Sequence, residues 1–240
     1  ELRGRVRSDR HTELPCVRER GLLLGENPRR VPCRETRARQ NVAVGEDATV
    51  ESAEPTSVLV RVTDRMDVAP ATPRLVLVQA LAKGDRDELA VQAATELGVD
   101  EVVPWQAARS VSRWEGAKTA KGVARWSAIV REAAKQAHRA WLPNVTAPVT
   151  TKQLAARAGA RILVLEPTAT TALSSLDLDQ GGEHRDIALV VGPEGGIAAE
   201  ELAALSAAGA ELVRLGDTVL RTSTAGPAAL ALLNARLGRW

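Results

Sequence analysis

The hydrophobic rhythm of the chain changes near residue 70. Before that point apolar positions come in short β-type pieces: Asn41 to Val44, Ala48 to Ser52 and Ser57 to Val62. In the last piece Val58, Val60 and Val62 alternate with Leu59, Arg61 and Thr63, the period of a strand with one more polar face. Pro70 and Pro73 then punctuate a linker. From Leu75 onward strands alternate with helices. Leu75-Val76-Leu77-Val78 is a short unbroken apolar run, as in a strand buried on both faces. Asp85, with Glu88 three residues on, predicts a capping box. The helix that follows places Leu89, Ala93 and Leu97 on its inner face and ends at Gly98. Val102-Val103 predicts a second strand. Ala120 to Ala140 reads as a long helix with Val123, Trp126, Val130, Ala133, Ala134 and Ala137 inward, stopped by Pro143. Ile162 to Leu165 and Ile187 to Val191 read as strands. Glu200 to Ala208 is a helix closed by Gly209, and Leu212 to Leu215 is a further strand. Thr224 to Leu237 is a last helix with Pro227 in its first turn, where a missing N–H does little harm. The alternation predicts an α/β domain with a mainly parallel sheet over residues 74–240, preceded by a small β domain over residues 1–70.

Composition supports that division. A chain of 240 residues accommodates one ordinary domain and a smaller one. Its hydrophobic fraction of 45% comes almost wholly from Ala, Val and Leu, since it has no Phe, no Tyr and five Trp. Such a core favours Val/Leu strands covered by Ala/Leu helices. The net charge of +2 hides an uneven distribution. Residues 1–40 carry 11 Lys and Arg against 6 Asp and Glu. Residues 105–140 carry Arg109, Arg113, Lys118, Lys121, Arg125, Arg131, Lys135 and Arg139 against only Glu115 and Glu132. A basic excess along a helix suits a polyanion, and equally a solvated face. No apolar run is long enough to span a bilayer, and no secretory leader is evident. Cys16 and Cys33 lie in a polar stretch and read as free thiols of a cytoplasmic protein; no metal site is expected.

Two glycine-containing turns follow predicted strands, where ligands of open α/β sheets bind. Gly192-Pro193-Glu194-Gly195-Gly196 follows Ile187–Val191, and Gly216-Asp217-Thr218 follows Leu212–Leu215. The first turn lacks the Gly-Lys-Ser/Thr of a phosphate loop and the Gly-x-Gly-x-x-Gly of a dinucleotide fold. Glu194 would repel a phosphate. A rigid turn that is neutral or acidic suits an uncharged adenosine and a cationic sulfonium, and glycines let backbone groups approach closely. An ordinary strand-to-helix turn is the plainer alternative.

Leu189-Val190-Val191-Gly192-Pro193-Glu194-Gly195-Gly196 and Leu215-Gly216-Asp217-Thr218-Val219-Leu220-Arg221-Thr222-Ser223-Thr224-Ala225 together resemble the bacterial 16S ribosomal RNA uridine N3-methyltransferase family, one of the knotted SPOUT methyltransferases. Further matches run upstream in order: Gln79-Ala80-Leu81 with Lys83, Glu96-Leu97-Gly98, Pro104 with Arg109, Trp126, and Gln136 with Arg139 and Pro143. The resemblance covers about residues 57 to 237 and implies an α/β domain whose last segment threads a trefoil knot, a rare exception to unknotted chains. It implies S-adenosylmethionine held by Leu165, by Gly192, Pro193, Glu194, Gly195 and Gly196, and by Leu215, Gly216, Val219, Leu220 and Thr224. It further implies a homodimer with active sites at the subunit interface, a substrate in 16S ribosomal RNA within the small ribosomal subunit, and an N-terminal PUA-like β-barrel that grips RNA. Residues 1–47 depart from that barrel's pattern, being Arg-rich and without periodicity. Lys135 and Ser223 stand where many members carry Glu.

Several residues carry a functional reading beside a plainer one. Arg221 could hold the uracil oxygens or a phosphate through paired hydrogen bonds, or serve as a helix-end ion pair. Glu194 could orient the methionine ammonium, or cap the following helix. Arg109, Arg125, Gln136 and Arg139 are expected to face RNA. His11, His138 and His184 offer no convincing general base. Trp126 sits at core spacing, while other Trp residues could stack a base. A knotted enzyme acting on transfer RNA or on a ribose hydroxyl, and a non-catalytic RNA-binding relative, stay open at this point.

Overall fold

A computed structural model describes residues 31–33, 43–54, 57–178 and 185–240. The chain divides into two compact units, with the boundary between Asp67 and Val68. The first contains β1 (Val31–Cys33) and all but an end residue of β2 (Ala43–Glu54) and β3 (Ser57–Val68), which form one three-stranded sheet in that order. β1 and β2 run antiparallel. The two pieces expected at Ala48 to Ser52 and near Val44 are one continuous strand. Leu59 and Arg61, expected on one face of their strand, are both exposed. Residues 1–30 and 34–42, which include most of the divergent part of the expected barrel, lie outside the described residues.

The second unit holds a six-stranded, wholly parallel sheet. Its strands are β4 (Leu75–Ala80), β5 (Glu101–Trp105), β6 (Asn144–Val145), β7 (Ala160–Leu165), β8 (Asp186–Val191) and β9 (Glu211–Val213), arranged β6-β5-β4-β8-β7-β9. Every pairing among them is parallel. A parallel sheet needs helices on both faces, and the period-2 alternation of the strands supplies two apolar surfaces. Leu75, Leu77, Leu163, Leu189 and Val191 point to one core, which α1 (Arg86–Glu96), α2 (Ala117–Gln136) and α5 (Thr222–Arg236) cover. Val76, Val78, Val164, Ala188 and Val190 point to the other, closed by α3 (Thr151–Ala155) and α4 (Ala199–Ala207). All six residues of β4 are buried, as its unbroken apolar run implies.

The structure corrects several local expectations. Asp85 makes no side-chain cap of α1. Buried Asp87 takes that role, accepting the backbone N–H of Ala82 at 3.0 Å and of Glu88 at 2.9 Å. Burial pushes its carboxyl above the ordinary range. The buried face of α1 runs through Ala90, Val91, Ala94 and Thr95, and Leu89 is exposed. Helix α2 ends at Gln136, well before Pro143, because His138 adopts φ 53° and turns the chain. Pro227 lies in the second turn of α5, so the backbone bond from residue 227 to the Ser223 carbonyl cannot form. Trp126 is buried against the first core, edge-on to Trp114 at a ring-centroid distance of 5.0 Å.

Candidate donor-binding cleft

Three neighbouring strands, β8, β7 and β9, end beside one another, and the loops leaving their carboxyl ends enclose a cleft of about 430 Å³. That size falls in the range of small-molecule sites. From β7 come Leu165, Glu166 and Pro167; from β8 come Val191 to Glu194, Gly196 and Ile197; from β9 come Val213 to Gly216 and Thr218 to Thr222. The two glycine-containing segments singled out in the sequence therefore face the same space.

The turn after β8 is set by local constraints. The Gly196 N–H closes it onto the Pro193 carbonyl at 2.9 Å, and Gly196 has φ 71°, a conformation that suits glycine. A Cβ on Gly192 would lie 2.7 Å from Ile197 Cγ1, so no side chain fits. Arg109 donates to the Gly195 carbonyl at 3.0 Å from the loop after β5. That loop is itself anchored by buried Glu201, which accepts the Ala108 N–H at 2.9 Å and the Thr151 hydroxyl at 2.5 Å. Gly216 is different. A Cβ there would meet nothing within 4 Å, and its φ is not left-handed. Neither folding constraint explains that glycine, while close approach of a ligand would.

Glu194 does not cap α4; the reciprocal partner of Ala198 at that helix start is Glu201. Glu194 accepts from Arg86 at 2.9 Å and from the Lys83 N–H at 3.2 Å, tying the turn to the loop after β4. Partial burial raises its carboxyl, but backbone N–H bonds and Arg86 outweigh that and hold it below the ordinary range. It therefore stays an anion at the cleft wall.

Arg221 stands at the N-cap of α5, exposed and on the cleft wall. It makes no ion pair among the described residues, so the helix-end pairing weighed for it is not formed. Leu165, Gly192, Pro193, Glu194, Gly196, Leu215, Gly216, Val219 and Leu220 are on the wall, as Arg221 is; Gly195 and Thr224 are not. Gly195 faces Arg109, and the Thr224 N–H bonds the Arg221 carbonyl at 2.8 Å. Sequence reasoning missed Glu166, Arg86, Arg214 and Thr222. The first lies just past a strand end and was open to discovery by the strand-end rule; Arg86 reaches the site only through tertiary packing.

The four residues expected to face RNA separate. Arg109 holds the turn, with its side chain at the surface. Arg125 is exposed on α2 but engages both carboxylate oxygens of Glu88. Gln136 is exposed at the last position of α2. Arg139 is a correction. Its side chain is only 13% exposed, donates to the carbonyls of Thr95 and Val99, and pairs with Asp100 at 3.5 Å. Burial lowers its guanidinium pKa, and the hydrogen bonds that would grip a phosphate are spent inside the fold. Among the described residues there is no cluster of metal-ligand side chains, and no helix is long and apolar enough to cross a membrane.

A family model for the RNA methyltransferase domain matches residues 70–234. The ribosomal RNA small subunit methyltransferase E of Mycobacterium bovis is 47% identical over 197 residues, which cover 80% of this chain and 74% of that protein. The protein of the same name from Bacillus subtilis is 32% identical over 170 residues, covering 67% and 65%. Among solved structures, ribosomal RNA small subunit methyltransferase E from Neisseria gonorrhoeae, bound to S-adenosyl methionine, has a TM-score of 0.72 at 26% identity and covers 81% of this chain and 79% of that one. A Legionella pneumophila protein solved in complex with the bound cofactor SAM has a TM-score of 0.70 at 30% identity, with the same coverage.

Proposed function

Because this chain belongs to the RNA methyltransferase domain family, and within it to the ribosomal RNA small subunit methyltransferase E family, we propose that it transfers a methyl group from S-adenosylmethionine to N3 of a uridine in 16S ribosomal RNA. One observation carries the donor half of this reading: both glycine-containing segments meet at the ends of three adjacent parallel strands and wall a single cleft. The residues present fit the donor. Leu165, Val191, Pro193, Val219 and Leu220 offer apolar surface to an adenosine, and the open space at Gly216 lets a ligand approach the backbone closely. The Glu194 carboxylate suits the methionine ammonium. Gly195 and Thr224 shape the same segments from outside the wall.

S-adenosylmethionine, when bound, supplies an electrophilic methyl on a sulfonium sulfur. The uracil N3–H is a weak acid. Methylation at N3 would require that proton to pass to water or hydroxide, with the methyl supplied by the bound donor. Arg221 stabilises the charge that develops on the ring oxygens through paired hydrogen bonds. It is suited to this because nothing among the described residues neutralises it. Arg109, Arg125 and Gln136 would meet RNA around the cleft and along α2, with Lys118, Lys121 and Arg131 adding exposed positive charge.

The finer parts of the reading follow the resemblance. Residues 74–240 form a knotted SPOUT domain, with the segment into α5 threading a trefoil knot. Residues 1–70 form a PUA-like domain that grips RNA. Two copies assemble as a homodimer in the cytoplasm and act on the small ribosomal subunit. The test is transfer of tritium from labelled donor to 16S RNA or small subunits, with mass spectrometry locating the modified nucleotide. No transfer by a folded protein that binds donor would remove the catalytic reading, and a methyl on transfer RNA or on a ribose would replace the substrate.

A further inference from the structure

Strand β4 carries one residue that its packing does not explain. Leu75 and Leu77, with Leu81 just beyond the strand, form an apolar column in the core beneath α1 and α5. Gln79 interrupts that column and is fully buried. Its Oε1 has no hydrogen-bond partner, a costly arrangement for a buried polar atom that a leucine would avoid. Both Nε2 hydrogens are used. One goes to the Ala80 carbonyl at 3.2 Å and the other to Thr222 Oγ1 at 3.0 Å. Turning the amide over would set its oxygen against the Ala80 carbonyl, so the bonds determine its orientation.

The Thr222 hydroxyl has a single proton and donates it to the Gly192 carbonyl at 2.8 Å, while accepting from Gln79. β4, the first residue of α5 and the turn after β8 are thereby joined through one buried atom. Gly192 and Thr222 are both on the cleft wall, and Thr222 directly follows Arg221. One turn further along α5, a Cβ on Gly226 would lie 3.0 Å from Leu77 Cδ1 and 3.4 Å from Val191 Cγ2. That glycine lets the helix approach the sheet closely.

We propose that Gln79 is a positioning residue, which through the Thr222 hydroxyl sets the separation between the 192–196 turn and the segment ending at Arg221, and so holds the two walls of the cleft and the Arg221 side chain in register. It touches neither donor nor RNA. An apolar residue would serve the core better, and the unpaired oxygen is what this function costs. The inference rests on the donor-cleft reading above.

The test compares variants of the full chain by calorimetric titration with S-adenosylmethionine, by melting temperature and by steady-state methyl transfer. Gln79→Leu continues the apolar column and is expected to melt at or above the parent's temperature. Its donor Kd weakens about tenfold, and its kcat falls up to about 100-fold through misplacement of Arg221, while the KM for RNA stays within about twofold. Thr222→Val behaves alike, because it keeps the shape and loses both bonds; Thr222→Ser restores both constants. Gly226→Ala weakens donor binding in the same direction without altering a wall residue. Donor Kd and kcat within about twofold of the parent in Gln79→Leu overturn the inference, as does a loss that Thr222→Ser shares in full with Thr222→Val. If the parent chain itself binds no donor, the cleft reading falls first.

Discussion

Arg221 sits where a helix least favours a cation. The amino end of α5 carries the positive end of its dipole, and an exposed arginine there costs roughly 0.3–1 kcal/mol with no partner to offset it. That cost is intelligible if the partner is substrate. Arg221→Ala is therefore expected to lower kcat by about 100-fold or more, leave donor Kd within about threefold, and leave the melting temperature unchanged or slightly raised. Single-turnover transfer with calorimetry in parallel reads this; near-normal turnover would take Arg221 out of the mechanism. Glu211 gives a different kind of prediction. Arg161 holds both its carboxylate oxygens, at 2.6 and 2.9 Å, and keeps its pKa below the ordinary glutamate value of 4.5. A depressed carboxyl contributes stability that is complete above 4.5 and is lost as pH falls through the lower folded value. Glu211→Gln should thus reduce the melting temperature at pH 7 and flatten the acid limb of the melting profile. An unchanged acid limb would show that the pair contributes nothing to it.

Among the elements, α2 shows how a local pattern acquires its meaning from a neighbour. Its glycine, Gly122, is a poor helix former, and replacing it with Ala would ordinarily stabilise by roughly 1 kcal/mol. Here a Cβ would fall 2.5 Å from the Trp114 indole, which lies edge-on to buried Trp126. Overpacking of that kind costs about 1–3 kcal/mol, so Gly122→Ala is expected to destabilise on balance, with a change in tryptophan fluorescence. Chemical denaturation decides the sign. The stretch from α2 into the turn after it shows why charge alone misleads. Arg125 and Arg139 count equally in the sequence, yet Arg125 is exposed and paired with Glu88, while Arg139 is folded inward onto Asp100. The periodic core positions of α2 were legible in advance, since Trp126, Val130, Ala133 and Ala134 recur at helical spacing and are buried. The inward face of α1 was not. Ala and Thr bury there because the helix is squeezed between α2 and α5, and packing at close range selects small side chains over Leu89.

The molecule as a whole places its donor cleft entirely in the unit that runs from Val68 to Trp240. All six parallel strands and both helical layers belong to that unit, so its core does not depend on the strands before it. Residues 68–240 expressed alone are expected to fold and to bind S-adenosylmethionine within about threefold of the full chain, while methyl transfer to RNA falls by about tenfold or more because fewer groups grip the RNA. Calorimetry and tritium transfer on the two proteins measure both halves. Full RNA activity in the shorter protein would remove the RNA-gripping role proposed for residues 1–70. A shallower dependence of RNA affinity on salt is expected alongside, by about 0.7 in log–log slope for each single-strand phosphate that the shorter protein no longer neutralises.

What the sequence by itself determined is what depends on neighbours along the chain. An unbroken apolar run specifies a strand buried on both faces, and a glycine-rich turn after it specifies a backbone that ligands can approach. These local rules were enough to place five of the six parallel strands, the α/β layering and the two glycine-containing turns at the cleft, while Leu165, Val219 and Leu220 came from the family resemblance. Tertiary structure alone decided which charges remain free. Arg139 and Asp87 are polar residues in sequence and buried partners in the fold, because burial and pairing are properties of three-dimensional neighbours. It also decided that Gln79, a single polar letter in an apolar strand, meets Thr222 from 143 positions away and through it Gly192. A hydrogen bond of that kind obeys no period along the chain. It exists only once the sheet has brought β4 and β8 side by side and α5 has packed across them.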